Sequence, residues 1–244
     1  MSSSDNPLCW ICNKNKADSG EHIMQASDIG YSLKIKKGTS FFIHHEDKKN
    51  IKIQSIKSDL LKFSKVICSP CNNARTQPHD YSWSELSRFL SENSFVAGSR
   101  IRFNRAFPYG TRKHMRNVQL HFVKKLGCAI SDYGMPIDIS TFSSAIMENK
   151  LHPNIYLGFA TRPMGTEKID VLVSDLDVIS KNGVGVFVIW PVFFKGFTLM
   201  VMYIAEGEER AGKTVSWNPR FNPGCTTMID ADEFIRKGQD RDGN

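Results

Sequence analysis

The last part of the chain alternates between short apolar runs and turn residues. Residues 155–160, 169–173, 184–188 and 197–204 are rich in β-branched and aromatic side chains. Runs of this length and composition, separated by turn residues, are typical of β-strands that pair with their neighbours along the chain. The pattern therefore predicts an antiparallel sheet in this part of the protein.

Two β-prone stretches in the first part of the chain flank a charged turn. Residues 41–43 and 51–54 have strand-forming composition, and residues 46–50 between them are Glu, Asp, Lys, Lys and Asn. This arrangement predicts a hairpin within residues 33–56. A further short strand is predicted at residues 63–67.

Apolar residues at helical spacing predict three helices. Ser82 and Glu85 have the spacing of a capping box, so a helix of about three turns is expected to start at Ser82. Residues 113–127 carry an apolar face and end on Gly127, which predicts a glycine-capped helix. A third helix is predicted from residue 140 or 141 to about residue 150.

These elements define an α+β fold that we divide into three segments. Residues 8–95 form an N-terminal module, residues 96–127 form a basic connector with a helix, and residues 128–230 form an α+β domain with the antiparallel sheet. Of the 244 residues, 41% are hydrophobic, which is enough for a substantial core. No run of eighteen apolar residues exists and the first seven residues are polar, so we expect a cytoplasmic protein without a membrane partner.

Positive charge is concentrated in the middle of the chain. The formal net charge is +7, and residues 81–125 contain nine Lys or Arg residues but only two Asp or Glu residues. Residues 126–244 contain eleven basic and fifteen acidic residues. This distribution indicates a polyanionic partner near the first half of the chain. A solvated basic face without a partner is the alternative explanation.

Four of the six cysteines form two pairs with the spacing of metal-binding knuckles. They are Cys9 and Cys12, then Cys68 and Cys71. A two-residue spacer lets both thiolates of a pair bind one tetrahedral ion, so two such pairs predict one structural Zn²⁺ site. A reducing compartment favours this interpretation over disulfides. Cys128 and Cys225 have no such pairing and are interpreted as bystanders.

The surroundings of the knuckles resemble the HNH endonuclease family, the treble-clef or ββα-metal nucleases. The residues that carry the resemblance are Cys9, Cys12, Glu21, His22, Cys68, Cys71, Asn72 and Arg75. The resemblance covers roughly residues 8–90. It implies that zinc knuckles join a strand pair and a helix, and that the activity is hydrolysis of phosphodiester bonds.

The resemblance also implies a role for each candidate residue. His22 is the general base, because a neutral imidazole can take a proton from water near pH 7. Glu21 and Asn72 are ligands of one catalytic divalent ion, Mg²⁺ or Mn²⁺, and His79 is a further candidate ligand. Arg75 lies one helical turn after Asn72 and would bind a phosphate with its guanidinium fork.

One residue of the family pattern has no counterpart here. The family places an asparagine a few residues before the second knuckle, where it orients the base histidine. Residues 62–65 contain no asparagine. Ser64 or a backbone group is therefore expected to take its place.

A band of basic residues follows the module and is interleaved with aromatic residues. It consists of Arg100, Arg102, Arg105, Arg112, Lys113 and Arg116. Guanidinium and ammonium groups neutralise phosphates, and Phe103, Phe107 and Tyr109 could stack against bases. The alternative is that these aromatic residues face the core.

The sequence thus predicts a metal-dependent endonuclease that acts on nucleic acid, with DNA preferred because most of the family cuts DNA. Restriction or antiviral defence is a setting suggested by analogy alone. The C-terminal part would select substrate, form a homodimer or sense a trigger. The competing prediction is a non-catalytic zinc module that binds nucleic acid or protein. A third reading, activity in the C-terminal sheet, has only the neighbouring Asp175 and Asp177 in its favour.

Overall fold

The computed structural model describes residues 7–33, 41–43, 51–53, 55–162, 172–173 and 175–234. The fold is α+β, with antiparallel sheets. The first sheet pairs β1 (Ser19–His22) with β4 (Lys62–Ile67), and His22 lies opposite Lys62. This pair is the short strand ladder that follows the first cysteine pair and precedes the second.

One helix and two short strands lie between the two strands of this ladder, followed by a 3-10 turn at Asp59–Leu61. The helix is α1 (Ala26–Leu33), and the strands are β2 (Phe41–Ile43) and β3 (Ile51–Ile53). Strands β2 and β3 pair antiparallel, with Phe41 opposite Ile53, which confirms the predicted strand pairing. The predicted turn at residues 46–50 lies outside the described residues.

The second cysteine pair leads directly into a helix. A π-helical turn at Cys71–Arg75 is followed by α2 (Gln77–Glu92). The prediction that this helix starts at Ser82 is wrong. Pro78 occupies the first turn, where its fixed φ and missing N–H suit a helix start. Ser82 lies inside the helix, and its hydroxyl donates to the Pro78 carbonyl at 3.0 Å instead of capping.

After β5 (Arg100–Arg102) comes the longest helix, α3 (Thr111–Tyr133). Every residue from 117 to 130 in α3 is buried, so neighbouring elements surround it. The predicted end at Gly127 is wrong, because α3 continues to Tyr133 and is capped by Gly134 with a φ of +62°. A Cβ at Gly127 would lie 2.4 Å from the Trp10 ring, so close helix packing requires this glycine.

A short helix precedes the C-terminal sheet. Helix α4 (Ser140–Met147) starts at Ser140, whose backbone N–H donates to the Asp138 side chain at 2.9 Å. The predicted start is confirmed, and the helix ends about one turn earlier than expected. Helix α4 packs against α3, and the Ser143 hydroxyl donates to the Ile11 carbonyl in the first knuckle at 2.6 Å.

The C-terminal sheet is antiparallel, as predicted. Its strands are β6 (Ile155–Ala160), β7 (Leu172–Val173), β8 (Asp177–Lys181), β9 (Val184–Phe194) and β10 (Phe197–Ile204). Strand β10 lies between β6 and β9, and both β7 and β8 pair with β9. All residues of β6 and β10 are buried, although β6 is the last strand at its end of the sheet.

Most of the stretch predicted to be extended, residues 98–112, is not a strand. After α5 (Ala211–Val215), β11 (Cys225–Thr227) returns to pair with the three-residue strand β5. A 3-10 turn at Phe103–Arg105 then directs Phe103 into the core, and Phe107 is buried as well. The two phenylalanines are therefore packing residues and cannot stack against bases.

A single hydrophobic cluster joins the three predicted segments. It contains Trp10 and Trp83 from the first, Phe103 from the second, and Phe159 and Phe194 from the third. Trp83 packs against Phe194 with ring centroids 5.3 Å apart. Within the part of the chain that the structure describes, no helix combines the length and apolar character needed to cross a membrane.

Candidate metal centre and active site

The two cysteine pairs meet at one point beside the β1–β4 ladder. The sulfur atoms of Cys9, Cys12, Cys68 and Cys71 all lie within 4.8 Å of one another, and none forms a disulfide. The Cys12 and Cys68 sulfurs are 3.8 Å apart. A tetrahedron with Zn–S bonds of about 2.3 Å has sulfur–sulfur edges of about 3.8 Å. The four cysteines could therefore hold a metal ion such as zinc.

Local hydrogen bonds shape the first knuckle for this task. The Asn13 N–H donates to the Cys9 carbonyl at 2.8 Å, and Asn13 adopts a left-handed φ of +47° that tightens the turn. The Asn15 side chain donates to the Cys68 sulfur at 3.5 Å. Although burial raises the pKa of Cys12, backbone amides of Asn15 and Lys14 lower it to about 7. Burial raises the pKa of Cys9 and Cys71, so Cys12 is the thiol that its local hydrogen bonds bring nearest to the thiolate form that a metal ion requires.

Glu21 lies at the end of β1 and is held by two lysines of α3. It is 7% exposed, Lys125 donates to its Oε1 at 2.5 Å, and Lys124 lies 3.1 Å from its Oε2. Burial alone would raise the pKa of Glu21, but the two ammonium groups lower it. Glu21 is therefore an ionised carboxylate whose two oxygens are both paired with lysine.

The ion pairs extend from Glu21 into α2. Lys124 also donates to both oxygens of Asp80 at 2.8 Å, and His121 lies 2.8 Å from Asp80 Oδ1. Burial is the first cause that lowers the pKa of His121, to about 4, although Asp80 acts in the opposite direction. His121 is thus neutral near pH 7. Two carboxylates and two ammonium groups then balance one another inside the protein.

Sequence reasoning missed this buried ion network (Glu21, Asp80, His121, Lys124 and Lys125). The two lysines were interpreted as the last turn of a helix, although they lie among Phe122, Val123 and Leu126. Adjacent lysines within an apolar helical run are a signal of buried ion pairs, because an unpaired buried charge is very unfavourable. Their partners are distant in sequence, and Glu21 is 104 residues before Lys125.

His22 follows Glu21 and is half-buried. Its Nε2 lies 3.2 Å from the Ile56 carbonyl oxygen, which can only accept, so Nε2 carries the proton and Nδ1 has the free lone pair. Lys125 also donates to the carbonyl of His22. Burial, followed by the charge of Lys125, lowers the pKa of His22. The imidazole is therefore neutral near pH 7.

The group that orients His22 is a backbone carbonyl. This was one of the two substitutes that the sequence allowed for the missing asparagine. The other candidate, Ser64, faces elsewhere: its N–H donates to Asp132 in α3 at 3.1 Å, and its hydroxyl donates to the same carboxylate. Ser64 therefore joins β4 to α3 and does not contact the imidazole through these bonds.

Asn72 bridges the second knuckle and β1. Its Nδ2 donates to Ser19 Oγ at 2.9 Å and to the Gly20 carbonyl at 3.4 Å. Both acceptors belong to the strand that carries His22. The side-chain oxygen of Asn72 is thus the atom that could serve an ion or a water molecule. Asn72 is brought to the same strand as His22, two residues away along β1.

Arg75 and His79 line a groove that Asn72 does not line. We name it the knuckle groove; it has a volume of about 680 Å³ and is bounded by the first knuckle, the turn at Cys71–Arg75, and parts of α2, α3 and α4. Arg75 is exposed there. His79 is 4% exposed, and its Nδ1 has no hydrogen-bond partner among the described residues. Burial lowers the pKa of His79 to about 4.

The residues predicted to bind a catalytic divalent ion do not fit one in this arrangement. Both Glu21 oxygens are paired with lysines, and His79 is on the groove side of the turn while Asn72 faces β1. Among the described residues, the four cysteines are the only group of three or more His, Cys, Asp or Glu side chains close enough for one ion. Mg²⁺ normally requires at least one carboxylate ligand.

The members of the basic band lie in several different parts of the structure. Arg100 and Arg102 lie on β5, where Arg100 donates to the Cys225 sulfur at 3.0 Å, whereas Lys113 lines the knuckle groove. The other members, Arg105, Arg112 and Arg116, lie in the 3-10 turn or on α3, and Arg116 is only partly exposed. Tyr109 is 88% exposed and is the one interleaved aromatic residue that is free to stack.

Comparisons of the chain with protein-family models, curated proteins and solved structures found no match. The functional argument therefore depends on the residues and their geometry.

Proposed function

We propose that the protein is a zinc-stabilised endonuclease that hydrolyses phosphodiester bonds, with His22 as general base. The observation that carries the proposal is the convergence of the four cysteines, the β1–β4 ladder and α2, with a neutral histidine at the end of β1.

The chemistry follows from that tautomer. Nδ1 of His22 takes a proton from a water molecule while the water oxygen bonds to phosphorus. The bond from phosphorus to the leaving oxygen breaks, and that oxygen takes a proton from solvent. Asn72 orients the water through its side-chain oxygen. Arg75 lines the knuckle groove, which neither Asn72 nor His22 lines, so it is assigned no contact with the reacting phosphate.

In this proposal Zn²⁺ is structural and is bound by Cys9, Cys12, Cys68 and Cys71. Four thiolates fill a tetrahedral site and leave no open position for substrate. Glu21 is a positioning residue, since it fixes Lys125 and thereby the backbone of His22. No step of the proposed mechanism uses Mg²⁺ or Mn²⁺, because the residues predicted to bind such an ion do not fit it.

The test is a nicking assay on supercoiled plasmid with the native protein and the His22→Ala variant. Arms with DNA and with RNA, each with Mg²⁺, Mn²⁺ or no added divalent ion, identify the substrate and the ion requirement. We expect His22→Ala to lower the rate by about 10²- to 10⁴-fold, the usual contribution of a general base. His114→Ala, which removes another partly buried histidine, is the matched control and should keep its activity. Equal nicking by native protein and His22→Ala would refute the role of His22.

A non-catalytic zinc module that binds nucleic acid is the second candidate function. It is favoured by the pairing of Glu21 with lysines, which leaves no second metal-binding group among the described residues. If the native protein binds nucleic acid but cuts neither DNA nor RNA with any of the metal ions, this second function is the correct one.

A further inference from the structure

The knuckle groove carries positive charge from three separate elements. Lys14 belongs to the first knuckle, Arg75 to the turn after the second, and Lys113 to the first turn of α3. All three side chains are exposed, and none forms an ion pair with a described carboxylate. No Asp or Glu lines the groove, and three asparagines add polar groups to its walls.

The positive charge of these three side chains is larger than the negative charge of the neighbouring metal centre. Zinc with four thiolates carries a net charge of −2, because each thiolate contributes −1. The three basic side chains more than offset it and leave an excess of positive charge that faces solvent. An anionic ligand is the species that would reduce this excess.

The wall of the groove also contains an unsatisfied polar group. His79 is almost completely buried, and its Nδ1 lacks a hydrogen-bond partner within the described chain. Buried polar atoms are nearly always paired with protein or with ordered water, so this enclosed nitrogen makes the groove wall polar but is not itself a contact for a ligand in the groove.

We propose that the knuckle groove binds the sugar–phosphate backbone of a nucleic acid through Lys14, Arg75 and Lys113. A groove with cations on several walls suits a polyanion better than one small anion, because successive phosphates can contact different side chains. The identity of the polyanion rests on the proposed function. Asn72 and Arg75 belong to the same turn, but Asn72 does not line the groove, so the inference concerns binding of the backbone and not the position of the cleaved bond.

The proposal is tested by fluorescence anisotropy with short labelled duplex DNA, single-stranded DNA and single-stranded RNA, without added divalent ions. The groove variant is Lys14→Gln, Arg75→Gln and Lys113→Gln together. The control variant, Lys181→Gln, Lys195→Gln and Arg220→Gln, changes the net charge equally on the C-terminal part. Affinity is measured between about 50 and 200 mM salt, since each phosphate contact contributes about one unit to the slope of log K against log salt.

We expect the groove variant to lose at least about tenfold in affinity and two to three units of salt slope for the preferred probe. The control variant should retain the native slope. Two outcomes overturn the proposal: equal losses in both variants, which would indicate only a net-charge effect, and native-like binding by the groove variant. Zinc content and thermal midpoint are measured for each variant. If zinc is lost together with binding, the three cations serve the metal centre and the proposal fails.

Plasmid nicking by the same preparations separates this inference from the proposed function. If native protein binds through the groove but does not cut, the inference holds and the nuclease proposal fails. If native protein cuts and the groove variant binds and cuts equally well, the nuclease proposal holds and the inference fails.

Discussion

The knuckle region and the C-terminal sheet are stabilised by different kinds of interaction. Around the knuckles, four thiols, two carboxylates and two lysines are gathered beside a strand pair of four and six residues. In the sheet, β6 and β10 are buried at every position and aromatic rings such as Phe194 and Phe197 stack 4.8 Å apart. The first region should therefore respond to metal, charge and pH, and the second mainly to the loss of apolar volume.

Metal removal tests this contrast with the largest expected effect. Structural zinc in small modules contributes about 10 kcal/mol or more at pH 7, so chelation or Cys68→Ser should unfold the knuckle region. Hydrogen exchange should show lost protection in β1, β4 and the start of α2, with protection retained in β9 and β10. Cys225→Ser is the matched control and should keep both zinc and protection. Protection of β4 that survives complete metal loss would contradict this interpretation.

Breaking one buried ion pair should have the next largest effect. Lys124→Met leaves Glu21 and Asp80 without a shared cation, and we expect a loss of about 3–5 kcal/mol in the free energy of unfolding. Leu199→Ala in β10 should lower the free energy of unfolding by a comparable amount, about 2–5 kcal/mol, and this loss should not depend on pH. The comparison is made by urea unfolding at several pH values. A Lys124→Met loss below about 1 kcal/mol would mean that the ion network contributes little.

The packing of α3 against the knuckle region can be tested at Gly127. An added methyl group in Gly127→Ala would meet the Trp10 ring, so we expect a loss of about 1–3 kcal/mol and weaker zinc retention. Gly30→Ala in α1 is the control, because nothing lies within 4 Å of its added Cβ and alanine favours a helix. Both variants are measured by thermal unfolding and by competition with a zinc chelator. Equal stability and equal zinc retention in the two variants would show that the Trp10 ring can move aside without a loss of stability.

The effect expected to be smallest near pH 7 is a pH dependence in the C-terminal part, which grows only as the solution is acidified. Burial lowers the pKa of His152 to about 4, below the usual histidine value, so the folded state excludes a proton that the unfolded state binds. This contribution to stability is present above about pH 6.5 and is lost as pH falls towards 4, by about 1.4 kcal/mol per pH unit. His152→Gln should flatten the acid limb of the stability curve by this amount. An unchanged slope in urea titrations would contradict a neutral buried His152.

Local sequence patterns predicted much of the fold and, within the candidate site, the cysteine cluster. The cysteine pairs, the strands at residues 41–43 and 197–204 and the start of α4 all have short-range signals, and the structure confirms them. The start of α2 was wrong because Ser82 has capping-box spacing while Pro78 fits the helix start better. The end of α3 was wrong because Gly127 serves packing against Trp10, a contact that no local pattern encodes.

The buried ion network shows why the remainder of the site could not be predicted. Glu21 was interpreted from its neighbour His22 and from the family pattern as an ion ligand, whereas its actual partners lie in a helix more than 100 residues later. Likewise, Phe103 and Phe107 alternate with arginines as in a nucleic-acid contact, and only the turn after β5 decides that they are buried. Long-range packing decides both cases.

The hydrogen bond from Lys125 to the carbonyl of His22 has a mechanical consequence. The peptide that holds the imidazole is anchored to α3, and α3 also contacts β6 of the C-terminal sheet. A ligand or second subunit that tilted α3 by pressing on the sheet would shift the imidazole relative to Asn72. Regulation of the distant histidine would then need no flexible linker, since one rigid helix would transmit the movement.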